Sequence, residues 1–109
     1  MPQVLVYVTA PSQDRALKIA RATVAEGLVA CANILGAMTS VYRWQGAIHE
    51  DNEVALILKT RSDLVDALTG RVKELHPYDC PCIVALDIAG GNPAFLEWIA
   101  AQSGGEGRG

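Results

Sequence analysis

No stretch of this 109-residue sequence is apolar for long enough to cross a bilayer. The leading run Val4-Leu5-Val6-Tyr7-Val8 has no basic residues ahead of it and is too short for a membrane span or a signal-peptide centre. Positive charge is also scarce. Nine Lys and Arg, scattered along the chain, face twelve Asp and Glu and leave a net charge of −3, which provides no electrostatic footprint for nucleic acid or an anionic membrane. Cysteines are few and odd in number, at three. Cys80 and Cys82 are too close in sequence for an easy disulfide, so reduced thiols and a cytoplasmic location are expected.

The chain does have apolar content, at 50% with a mean hydropathy of +0.20. A chain of this length buries about two-thirds of its unfolded surface, and apolar surface in excess of one core suits coverage by other subunits. One domain over residues 1–102 is expected, followed by a glycine-rich mobile tail over 103–109.

Val4 to Val8 reads as a strand, and Ser12 caps a helix whose Leu17, Ala20, Val24 and Leu28 recur at helical spacing before Gly27 stops it. Val29 to Trp44 is a long extended stretch with Gly36 as a bulge or bend. Gln45-Gly46 turns the chain into a return strand, whose polar portion His49 to Glu53 projects beyond the sheet. A second helix starts near Thr60 or Ser62 and buries Leu64, Leu68, Val72 and Leu75. A strand from Cys82 to Ile88 follows, apolar on both faces and therefore expected to be central or covered. Gly90-Gly91 is a turn, and Asn92 and Pro93 open a short last helix. The order β-α-β-β-α-β specifies an α+β class, a ferredoxin-like βαββαβ sandwich with a long β-hairpin and a short C-terminal helix.

This fold hosts many functions, and missing residues exclude some of them. An RNA-binding module would carry stacking aromatics on its inner strands, and Val54 to Lys59 has none. A small acyl-phosphate hydrolase would need a glycine-rich anion loop after the first strand. Thr9 to Gln13 contains no glycine, so Arg15 reads as a solvated helix residue. No nucleophile and base pair is evident, and a non-enzymatic protein is expected.

Possible ligands concentrate in His76-Pro77-Tyr78-Asp79-Cys80-Pro81-Cys82. The residue before a proline leaves the α region, making this run a helix-to-strand corner. Cys80 and Cys82, two apart on an extended backbone, would share a face near His76. The alternative is structural, with the prolines shaping the bend and Cys82 packing as a small apolar side chain. Lys59, beside Thr60 at a strand end, either holds an anion with the helix N-terminus or merely solubilises the strand.

Six segments in register carry a further signal: Val8-Thr9-Ala10-Pro11-Ser12, Leu28 to Ile34, Val41-Tyr42-Arg43-Trp44-Gln45-Gly46, Lys59-Thr60, His76-Pro77-Tyr78 and Leu96-Glu97-Trp98-Ile99. Together they resemble the CutA divalent-cation tolerance family. The resemblance implies a ferredoxin-like subunit in a homotrimer joined through its long hairpins, with links to copper and other divalent metals. It also implies architectural kinship with PII signalling trimers, which bind small effectors between subunits; an anionic effector at Lys59 and Tyr78 is the alternative function. The family's metal ligands are attributed to a cysteine ending the first strand, the histidine of His-Pro-Tyr and a glutamate after the next proline. Here only His76 matches, with Val8 in place of the cysteine and Cys82 in place of the glutamate. Sulfur in place of oxygen favours Cu(I) or Zn, so His76, Cys82 and Cys80 are the expected metal residues. Tyr42 and Trp44, near the hairpin tip, are expected as interface anchors or as cover for their own subunit's core.

Overall fold

A computed structural model describes residues 2–104. Strands β1 (Gln3–Ala10), β2 (Cys31–Trp44), β3 (Ala47–Arg61) and β4 (Ile83–Asp87) form one antiparallel sheet in the order β2-β3-β1-β4. Helices α1 (Gln13–Ala25) and α2 (Val65–Leu75) cross one face, and α3 (Pro93–Gln102) is the last helix among the described residues. This is the ferredoxin-like arrangement expected from the element order.

Local chemistry accounts for the boundaries. Ser12 Oγ accepts from the Arg15 amide at 3.2 Å, and Gly27 takes φ 73° just past the end of α1, where a left-handed residue costs glycine little. Asn92 Oδ1 accepts from the Ala94 amide at 3.1 Å, one residue beyond Pro93. A 3-10 turn over Ser62–Leu64 separates β3 from α2.

The core lies between the helices and the even-numbered residues of the central strands. Val4, Val6 and Val8 of β1 and Val54, Leu56 and Leu58 of β3 meet Ala16, Ile19 and Ala20 of α1 and Leu68 and Val72 of α2. Removing this side-chain volume at one position, as in Leu56→Ala, costs about 2–5 kcal/mol. Thr23 and Thr60 are fully buried, and their hydroxyls donate to Ile19 O and Leu28 O at 2.8 and 2.7 Å. Arg15, expected in solvent, instead reaches across to donate to Leu75 O at 2.8 Å, fastening α1 to the end of α2.

Two further expectations are corrected. The strand over Ile83–Asp87 is an edge strand, and Val84 and Leu86 are 51% and 52% exposed. With Leu5, Tyr7 and Ile57 they form an apolar sheet face that the helices leave open. Ser103 and Gly104, assigned to the mobile tail, are buried: Ser103 Oγ donates to Ile99 O and the Gly104 amide donates to Gly27 O. The remainder of that tail, 105–109, lies outside the described residues.

The β2–β3 hairpin outgrows the sheet. β1 pairs with β3 only as far as Val54, so Ala47 to Glu53 are flanked by β2 alone. The molecule measures 44 × 29 × 22 Å with a radius of gyration of 14.3 Å, against about 13 Å for a compact chain of this length. A bulge at Leu35, where Ile34 faces Leu56 and Gly36 faces Ala55, puts one extra residue into β2. Gly36 has φ 95° there. Because strand side chains alternate, one extra residue moves all that follow to the other face. The hairpin then closes through Gln45 and Gly46, both at positive φ, in the two-residue turn that matches strand twist.

Candidate functional site

The bulge decides what the hairpin contributes. Beyond it Met38 faces Glu53 and Tyr42 faces His49, so Met38, Tyr42 and Trp44 share the open face with Glu53 and His49. The corner after α2 approaches the same face. Thr9, Tyr42, Trp44, Glu53, Tyr78 and Cys82, together with Pro77, Asp79 and Cys80, line a pocket of about 430 Å³.

His76 shapes this corner. Its backbone is extended (φ −97°, ψ 137°), ending α2 as the following proline requires. The ring is buried. Nδ1 accepts from the Tyr78 amide at 3.2 Å, so Nε2 carries the proton and donates to Thr9 O at 2.6 Å. Both nitrogens are engaged, and His76 has no lone pair left for a metal in this arrangement. It binds the corner to the end of β1, while Cys80 and Cys82 open into the pocket.

Tyr78 completes the link to the hairpin. Its hydroxyl donates to Glu53 Oε2 at 3.1 Å, and its ring packs 4.6 Å from that of His76. Burial, then the charge of Glu53 and the bond to it, pushes the Tyr78 phenol up to about 12. Across the pocket Tyr42 donates to Asp51, which raises its phenol as well, and its ring stacks on His49 at 5.4 Å. Burial raises the Cys82 thiol, the charge of Glu53 adds to this, and a hydrogen bond with Thr9 opposes it.

The structure thus brings together Cys80, Cys82, Tyr78, Tyr42 and Trp44, but not Lys59. Lys59 lies six residues along β3 from Glu53, about 20 Å away at strand rise. Its ammonium donates to Asn33 Oδ1 at 2.8 Å and sits 5.5 Å from the Phe95 ring. Among the described residues the borders of this pocket within one subunit contain no lysine or arginine. No three His, Cys, Asp or Glu side chains converge as a metal centre among the described residues, so the four protein ligands of a closed structural site are not assembled. Glu53 was not singled out from the sequence beyond its polar stretch, yet it is 8% exposed. Its place directly before the apolar run Val54-Ala55-Leu56-Ile57-Leu58 was the available signal.

Known proteins share this fold. A 48% identical relative, the divalent-cation tolerance protein CutA of Thermus thermophilus, matches over 92% of this chain and 97% of its own. The chloroplastic CutA 1 of rice (Oryza sativa subsp. japonica) is 46% identical over 91% of this chain, which spans only 56% of that longer relative. The solved Thermus thermophilus Cut A1 structure superposes with a TM-score of 0.92 at 47% identity, covering 94% of this chain and 99% of that one. The protein described as periplasmic from Archaeoglobus fulgidus gives 0.89 at 38% identity, covering 92% and 97%. The sequence pattern of the CutA1 divalent ion tolerance protein family matches residues 4–102, and the chain belongs to that family.

Proposed function

We propose that this protein acts without catalysis in tolerance of divalent metal ions, as a homotrimer that takes copper as cargo at the corner pocket. The observation that carries this reading is the lining itself: two free thiols, Cys80 and Cys82, and two carboxylates, Glu53 and Asp79, with no cationic side chain among the described residues. Thiolate sulfur selects Cu(I) over hard cations. Free thiols also persist in reducing compartments, which supports a cytoplasmic location. Among the described residues no helix is long and apolar enough to cross a membrane.

Two features support the trimer. The ribbon beyond Val54 leaves backbone groups unpaired, and such edges tend to pair with another chain. The apolar face at Val84 and Leu86 is uncovered in one subunit, which suits contact with a neighbouring copy.

Competition against a Cu(I) chelator under reducing conditions tests the cargo reading. The Cys80→Ser/Cys82→Ser variant should bind at least about tenfold more weakly, a loss near 1.4 kcal/mol. Because binding displaces a proton from Cys82, whose thiol is raised, parent affinity should fall as pH falls. Parent-like affinity in the double variant, with fold and assembly intact by circular dichroism and light scattering, would refute thiolate binding at this corner.

A further inference from the structure

Three aromatic rings border the corner pocket beside its two carboxylates. Tyr42 and Trp44 come from β2 and Tyr78 from the corner. Arg43, between the two β2 aromatics, faces Ile48 and is out of phase with them, so strand alternation directs it to the other side of the ribbon. The two tyrosine rings are held in place. Tyr42 is fixed by its hydroxyl bond to Asp51 and by His49 stacked on one face. Tyr78 is fixed by its bond to Glu53 and by the His76 ring. Side chains held this way lose little freedom when a ligand arrives.

Ring faces are electron-rich and attract cations within about 6 Å of the centroid. They offer a small hydrated metal ion no donor atom, but they suit a cation whose charge is spread over apolar surface. A volume of about 430 Å³ lies within the range of small-molecule sites, roughly 300–1,000 Å³. We propose that the corner pocket binds a small organic cation of the alkylated-ammonium class, held by the faces of Tyr42, Trp44 and Tyr78 and by the charges of Glu53 and Asp79. The ammonium shares this pocket with the proposed copper but is argued from the rings and their neighbouring charge, whereas the copper is argued from the thiols.

Calorimetric titration of the full chain compares choline, as a probe of the class, with 3,3-dimethylbutan-1-ol, its neutral isostere. Choline should bind saturably and the neutral alcohol at least about tenfold more weakly, because only charge separates them. Tyr78→Leu, which removes the ring, should weaken choline binding by about threefold or more, and Tyr78→Phe, which keeps it, should weaken binding less. Equal affinity for choline and the alcohol, or no saturable choline binding, overturns the proposal in the unmodified protein, whatever the fate of the variants.

Discussion

Tyr78 donates its hydroxyl to Glu53 Oε2 across 3.1 Å, joining the corner after α2 to the base of the projecting hairpin. Twenty-five residues apart in sequence, the pair closes one wall of the pocket.

The first prediction follows from that bond. Burial and Glu53 raise the Tyr78 phenol from its ordinary 10.0 to about 12. Below about pH 10 the folded and unfolded chains both keep this proton, and the contribution of Tyr78 to stability is intact. Between about 10 and about 12 the unfolded chain loses it first, so that contribution is lost. Ultraviolet titration of the phenols, with Tyr78→Phe identifying the relevant step, should find it near 12. Glu53→Gln should lower it only partway, since burial is the larger cause. An unshifted phenol would contradict the wall as described.

A second prediction concerns the bulge. Gly36 holds φ 95° with open space where a Cβ would lie, so backbone strain rather than collision opposes substitution. Gly36→Val should cost about 1–3 kcal/mol. Denaturant unfolding with an unchanged m-value measures it. A parent-like midpoint would mean that the bulge does not require glycine.

Much of this was legible in the sequence, and the reasons differ by residue. Ser12, Gly27, Gly36, Gln45-Gly46 and Asn92 each carry their own backbone chemistry, so the boundaries they set agree with the structure. The edge position of β4 was hidden, because Val84 and Leu86 are apolar although each is about half exposed on the open sheet face. His76 was ambiguous because residue type does not reveal whether ring nitrogens are occupied by backbone groups at Thr9 and Tyr78. Lys59 and Tyr78 were grouped by chemistry, whereas strand register separates them.

A third prediction tests assembly. Leu86 is 52% exposed on the open sheet face, so Leu86→Asp should spare the fold of one subunit while placing a desolvated charge in any interface built there. Light scattering should give three subunit masses for the parent and fewer for the variant, with circular dichroism little changed. A parent that runs as a monomer, or a variant that still forms trimers, would remove this face from the interface.

The central claim is that the corner holds copper through sulfur while His76 remains a post between β1 and the corner. X-ray absorption at the copper edge of the Cu(I)-loaded protein tests it most directly. The account predicts sulfur neighbours that disappear in Cys80→Ser/Cys82→Ser, and no imidazole signature. An imidazole signature that vanishes in His76→Ala, or a sulfur signal that survives loss of both thiols, would contradict it.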